Sequence, residues 1–396
     1  MQKRKYMFTV GAGDVAAVYE DWKKGFRTPS QTSITYSSLS MDFVREAAAE
    51  CLIISYHSNP HERINGGFKI INQSKPYFKD TSGIWYHLTE ILYGIKLSWL
   101  AYRNGVQVII ADSGTTHWFA WSAAALVGIE IIPNFHNTYY PAGNPPTQKI
   151  TKIIQGLDAW FFRKFTQVAL GVSAECGRQY LALAQTPATP KRFVPYFAQF
   201  FAADFENIKP VDAGSAELTI LFVGRVEENK GALDLVDIAR LLEKHQHPFT
   251  IMVCGDGSAL GALAKKITDA RLNARFVLRG MLKRAELLQA YEAAHIVIVP
   301  TRSAFCEGLP KACAEAALAG RALVTSKLSN VLDIFPDAII EATPDSAESY
   351  AQALERLFNN RELLQRSATR LKAMASIFTK PENSLRAALH RALPQV

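Results

Sequence analysis

The sequence predicts an α/β protein of two domains, each a mostly parallel sheet covered by helices on both faces, with the two sheets facing a central cleft. Three observations carry this prediction. The length, 396 residues, exceeds what one hydrophobic core ordinarily serves. From Leu218 onward, short apolar runs alternate with longer helical patterns, the mark of strands buried on both faces. The first half repeats that alternation with longer insertions, and the polar, mixed-charge stretch Ala202–Ala216 separates the two halves.

Taken in order, Tyr6–Val10 reads as a strand entering Gly11-Ala12-Gly13. Ser33–Ser37, Leu52–Ser55, Val106–Ala111, Glu130–Asn134 and Val168–Val172 read as further strands. Ser58–Ser82 shows no period and reads as loop. Gly83–Asn104 has a long apolar helical pattern stopped by Asn104-Gly105, and Thr116–Val127, rich in alanine and aromatics, suits a helix packed on the sheet. In the second half, strands are expected at Leu218–Val223, Phe249–Cys254, Phe276–Leu278, Ile296–Val299, Ala322–Thr325 and Ala338–Ile340. Helices are expected between them at Gly231–Glu243, Ala259–Asp269, Arg284–Ala293 and Pro310–Ala319, with another at Ser346–Phe358. Both halves therefore read as Rossmann-like domains, residues 1–205 and 206–379, with a last helix in 380–396 returning to the first.

Composition narrows the function classes. At 48% hydrophobic and 20% charged residues the chain is neither disordered nor fibrous. Its net charge of +8 is spread along the chain without a helix-turn-helix, RNA-recognition or zinc pattern, so no nucleic-acid partner is expected. Cys51, Cys176, Cys254, Cys306 and Cys313 are scattered and lack C-x2-C spacing, which fits a reduced, cytoplasmic compartment and gives no metal set. Met7–Val10 is too short for a signal-peptide core, and the most membrane-like stretch, Ser113–Ile129, is broken by polar residues.

Three loops carry chemistry. Gly224-Arg225-Val226-Glu227-Glu228-Asn229-Lys230-Gly231 follows a buried-type strand and leads into a helix. Its Arg225 and Lys230 can converge on one anion, the first as a fork and the second as a point charge. Gly255-Asp256-Gly257 follows the next strand and allows close backbone approach or simply a tight turn. Neither it nor Gly11-Ala12-Gly13 completes a strict dinucleotide fingerprint, although Ala16 in the sixth position of the latter is a tolerated variant. The third loop, Glu307-Gly308-Leu309-Pro310, opens a helix containing Glu315. The helix start offers free N–H groups to a phosphate, and the two carboxylates offer acceptors to sugar hydroxyls. Together these groups suit a nucleotide sugar. Each one singly is also what an ordinary solvated loop or helix start contains.

The ordered set Gly224-Arg225 with Lys230-Gly231, Gly255-Asp256-Gly257, Glu307-Gly308-Leu309-Pro310 with Glu315-Ala316, and Gly320 through Thr325 resembles the signature of the family 4 retaining glycosyltransferases of group 1. The resemblance is specific from about Leu218 to Val331 and implies the GT-B fold, with the donor in the second domain and the acceptor mostly in the first. It implies that Arg225 and Lys230 hold the donor diphosphate, that Glu315 binds the ribose, and that Glu307 approaches the sugar ring. Leu309 and Pro310 would add backbone contacts, Gly308, Gly224, Gly255 and Gly257 would shape the donor site, and Gly11 and Gly13 would form the flexible loop after the first strand. His136 would stand beside the transferred sugar, ahead of His57, His61, His87 and His117. Ser173 and Tyr139 fall on the acceptor side. Two segments depart from the pattern. Val194-Pro195-Tyr196-Phe197 replaces a Pro-Asn-Gly and is expected to lose a turn and a polar contact. Lys327-Leu328-Ser329-Asn330 replaces a phosphate-facing Gly-Gly.

The implied reaction is metal-independent retaining transfer from a nucleoside-diphosphate sugar, UDP favoured over GDP, with no bound cofactor. The implied acceptor is a glycan or lipid-linked molecule of cell-surface polysaccharide synthesis. Lys149–Phe165 interleaves basic and aromatic residues, so it suits either peripheral contact with an anionic membrane at its inner face or packing on the first sheet. A nucleotide-sugar epimerase, a non-catalytic nucleotide-sugar-binding protein and a sugar-binding module are the other classes compatible with two such domains.

Overall fold

A computed structural model describes residues 3–26, 31–57, 60–75 and 83–393. The first half supplies strands β1 (Lys5–Ala12), β2 (Ser33–Ile34), β3 (Glu50–Tyr56), β4 (His61–Asn65), β5 (Phe68–Gln73), β6 (Val108–Asp112), β7 (Glu130–Phe135), β8 (Val168–Gly171), β9 (Arg192–Pro195) and β10 (Gln199–Phe200). Eight of these form one sheet in the order β4-β5-β3-β1-β6-β7-β8-β9, parallel except where β4 meets β5. The second half supplies β11 (Leu218–Val223), β12 (Phe249–Cys254), β13 (Phe276–Gly280), β14 (Ile296–Val299), β15 (Ala322–Thr325) and β16 (Ile340–Glu341). They form an all-parallel sheet in the order β13-β12-β11-β14-β15-β16. The apolar runs β6, β14 and β15 are buried along their whole length, as strands covered on both faces must be.

Helices α1 (Val15–Lys23), α2 (Tyr36–Glu46), α3 (Gly83–Arg103), α4 (Ser122–Leu126), α5 (Lys149–Phe165) and α6 (Ala174–Ala184) belong to the first half. A short α7 (Ala203–Glu206) lies in the joint. Then come α8 (Asp234–Lys244), α9 (Leu260–Asp269), α10 (Arg284–Ala293), α11 (Lys311–Ala319), α12 (Ala347–Asn359), α13 (Arg361–Met374) and α14 (Leu385–Ala392). The last of these returns to the first half, where Arg386 and His390 lie 2.9 and 3.1 Å from Glu46 of α2 and Leu385 and Leu389 enter the first core.

Local chemistry explains the departures from expectation. The strand expected at Ser33–Ser37 ends at Ile34, because the Thr35 hydroxyl accepts the Ser38 N–H at 3.1 Å and caps α2. The described part of the expected loop Ser58–Ser82 is the hairpin β4-β5. Gly66 and Gly67 turn it with φ of +55° and +89°, and Phe68 and Ile70 bury one face. Positions 58–59 and 76–82 lie outside the described residues. The helix expected over Thr116–Val127 is split into a 3-10 turn, Trp118–Trp121, and α4.

The carboxyl ends of β1, β6 and β7 face those of β11 and β14 across a cavity of about 710 Å3. Crevices at such strand ends are where sheets of this kind bind ligands.

Candidate functional site

The second-domain wall is built by backbones that touch. A Cβ on Gly255 would lie 1.8 Å from the Gly224 carbonyl oxygen, and one on Gly257 would lie 2.4 Å from that of Val226. These two glycines therefore do not line the cavity; they let the loop after β11 settle against the loop after β12. Gly231, at φ +72°, ends the short 3-10 turn Glu228–Lys230 and passes so close to the Pro300 carbonyl that a Cβ would come within 2.0 Å of it. That contact fixes Lys230 beside the loop after β14. The Lys230 ammonium sits 2.5 Å from Glu307 Oε2 and 4.0 Å from the centre of the Phe305 ring. The Thr301 hydroxyl donates to the same carboxylate oxygen at 3.3 Å. Arg225 is more exposed, with its guanidinium 2.7 Å from Glu227 and 5.8 Å from the same ring.

Leu309 and Pro310 lead into α11, which is buried from Ala312 to Ala319. One oxygen of Glu315 accepts from the Tyr291 hydroxyl at 2.6 Å, and the other accepts from the hydroxyl of Thr32, a first-domain residue. Burial and the neighbouring Glu315 hold the Tyr291 hydroxyl well above its ordinary pKa, so it keeps its proton and donates. Asn330, at φ +56°, donates to the carbonyls of Glu307 and Gly308 at 2.7 and 3.0 Å. The segment standing in place of a Gly-Gly thus braces the Glu307 loop.

In the first-domain wall, Gly11 and Gly13 border open space between β1 and α1. His136 follows β7 and has both ring nitrogens engaged: Nε2 lies 2.9 Å from Asp112 Oδ2, and Nδ1 lies 3.1 Å from the Tyr196 hydroxyl. Asn134 joins the same network, donating to Asp112 at 2.6 Å and accepting from Tyr196 at 2.7 Å. Tyr196 therefore makes a polar contact here, contrary to the expectation for the segment Val194–Phe197. Burial raises its hydroxyl far above the usual range and keeps it a donor. The Tyr36 ring covers His136, with centroids 4.7 Å apart.

The cavity thus brings together Gly11, Gly13, His136, Gly224, Arg225, Lys230, Glu307, Leu309, Pro310 and Glu315. It does not take in Gly255, Gly257, Gly308, Ser173 or Tyr139. Gly308 packs behind the wall, where a Cβ would meet the His136 carbonyl oxygen at 1.8 Å. Ser173 is fully buried, its hydroxyl spent capping α6 on the Cys176 N–H. Tyr139 turns away and donates to Asp158 of α5 at 2.7 Å. His117 lies elsewhere, 3.0 Å from His87, and burial together with that neighbour pushes it down to about 4. Sequence reasoning missed Asp112, Thr32, Tyr291 and Phe305. Of these only Asp112 left a signal, as a carboxylate closing an apolar strand at its carboxyl end. Among the described residues, no group of three or more His, Cys, Asp or Glu side chains could hold a metal ion.

The family model for glycosyl transferases group 1 matches residues 204–374. The 2-deoxystreptamine glucosyltransferase of Streptomyces kanamyceticus is 24% identical over 259 residues, 60% of this chain and 64% of that one. The lipopolysaccharide 1,2-N-acetylglucosaminetransferase of Salmonella typhimurium is 26% identical over 221 residues, 51% of this chain and 56% of that one. The chain thus spans less than two thirds of the length of these curated relatives. Among solved structures, Anabaena HepE in complex with UDP superposes with a TM-score of 0.62 at 13% identity, covering 98% of each chain. Residues 204–374 thus match the model for glycosyl transferases group 1, and the chain as a whole has the GT-B fold.

Proposed function

We propose that this chain is a metal-independent, retaining glycosyltransferase of cell-surface polysaccharide synthesis. It moves a sugar from a nucleoside-diphosphate sugar, UDP favoured over GDP, to a glycan or lipid-linked acceptor. The observation that carries the reading is the pairing of Lys230 with buried Glu307, in the loop that leads into α11, within the cavity that His136 also lines. A cation at that point can hold the departing diphosphate with Arg225 and the α11 N–H groups, which is electrostatic leaving-group stabilisation. Glu307 is placed to exchange its bond to Lys230 for a sugar hydroxyl. Glu315 is placed to exchange the Thr32 hydroxyl for a ribose hydroxyl. The acceptor attacks from the face the diphosphate leaves, and that phosphate takes up the acceptor proton. Residues 206–379 hold the donor, and residues 1–205 with 380–396 hold the acceptor. Closure of the cleft keeps water from the donor. A lipid-linked acceptor would bring the chain to the inner face of a membrane, with basic, aromatic α5 as the contact.

Ligand-detected NMR with UDP-, GDP- and ADP-sugars tests the donor assignment. Wild type is expected to bind one class, and Glu315→Ala to weaken that binding about tenfold or more, the loss of one charged hydrogen bond. Binding by neither protein, or equally by both, overturns it. His136→Ala is expected to keep nucleotide affinity while transfer falls about tenfold or more. Unchanged transfer removes His136 from the reaction.

A further inference from the structure

Helix α3 carries a second apolar stripe, on the side turned to solvent. Trp85, Leu88, Leu92, Ile95, Trp99 and Tyr102, spaced alternately three and four apart, are all exposed, Trp99 by 55%. The side turned to the protein buries Tyr93, Leu97 and Ala101 in the first core, with Thr89, Glu90, Gly94 and Ser98 between them. That orientation is fixed by packing, because a Cβ on Gly94 would lie 2.5 Å from Ala120 Cβ and only glycine permits the approach. Helix α5, in the same layer and separated from α3 by the 118–126 segment, repeats the pattern with Ile150, Ile153, Leu157 and Trp160, Ile153 being 60% exposed. Leu126 and Val127, at the end of α4, are exposed as well.

The charges on these helices sort by sign. Their acids, Glu90 and Asp158, are 4% and 2% exposed. Glu90 is spent on Lys75 at 2.6 Å, and Asp158 on Tyr139 and the Phe119 N–H at 2.7 and 2.9 Å. What remains toward solvent is cationic: Lys96, Arg103, Lys149, Lys152, Arg163 and Lys164. Two copies of such a face would repel each other. An anionic lipid surface satisfies both properties, taking apolar and aromatic side chains to the headgroup boundary and cations to the phosphates. No helix among the described residues is long and apolar enough to cross a membrane.

We propose that α3 and α5 together form a seat on an anionic bilayer, with α3 the larger part. The seat gives the proposed lipid-linked acceptor its location and rests on that reading for its purpose only. Through Asp158 and Tyr139 it is joined to the loop after His136.

Flotation of the full chain with phosphatidylcholine vesicles, containing or lacking phosphatidylglycerol, tests the seat without using transfer activity. The chain is expected to float with the anionic vesicles, to stay largely in solution with neutral ones, and to be released by added salt. Trp99→Glu combined with Ile153→Glu is expected to cut partitioning at least tenfold with an unchanged thermal midpoint, and Lys152→Gln about fivefold. A wild type that ignores anionic vesicles overturns the seat, as does binding that survives the double substitution. Dimerisation that disappears in the double variant, with no vesicle binding, assigns the face to a second copy instead. A protein that floats as expected but binds no nucleotide sugar keeps the seat and loses the transferase reading.

Discussion

Lys230→Ala should lower turnover by about two to three powers of ten, the cost seen when one preorganised charge-stabilising group is removed from a transfer site. It acts twice. On the proposed reading the departing diphosphate loses a cation, and Glu307 is left buried with the Thr301 hydroxyl, at 3.3 Å, as its remaining side-chain partner among the described residues. Breaking a buried pair from one side costs about 3–5 kcal/mol in general. The lysine here keeps 18% side-chain exposure, so solvent screening reduces that figure. The two consequences separate in the double variant Lys230→Ala with Glu307→Gln. Neutralising the orphaned carboxylate should return the thermal midpoint toward wild type while turnover stays low. Full activity in Lys230→Ala, measured with the donor identified by NMR, removes the phosphate grip from the mechanism.

Gly308→Ala should be nearly as damaging for a different reason. The added methyl has no room against the His136 carbonyl at 1.8 Å or against Val172 Cγ2 at 2.8 Å, so one wall of the cleft must move from the other. A displacement of about 1 Å at reacting groups costs on the order of a hundredfold. Donor affinity should change little, because Arg225, Lys230 and Glu315 all lie on the second domain. Single-turnover transfer and nucleotide titration check the two halves of this expectation, and a loss of nucleotide binding equal to the loss of transfer would refute it. The substitution should also lower the thermal midpoint modestly, since Val172 belongs to the first-domain core.

These expectations were legible to different depths in the sequence. The strands of the second sheet are continuous apolar runs because both their faces are covered, and such runs announce themselves without context. The loops bearing Lys230 and Glu307 come directly after those strands, so their meeting could be anticipated. Asp112 and Tyr196 could not be anticipated in the same way: one closes β6, beside β7, and the other follows β9, two strands from β7, and no local spacing encodes their meeting at His136. The β4-β5 hairpin escaped because its alternation lies in β5, Phe68 and Ile70 being buried, while β4 is nearly all exposed. Helix α3 was recognisable as a helix but not in its orientation. Periodicity locates an apolar face, whereas small residues such as Gly94 and Ser98 decide which side can approach the sheet.

Thr32 belongs to one domain and Glu315 to the other, so on the proposed reading the Thr32 hydroxyl occupies the place a ribose hydroxyl would take. A nucleotide entering the cleft would have to displace that hydroxyl, so the contact between the two domains competes with the ligand for one carboxylate. The measured affinity would be the intrinsic one multiplied by the fraction of molecules in which Thr32 has already let go.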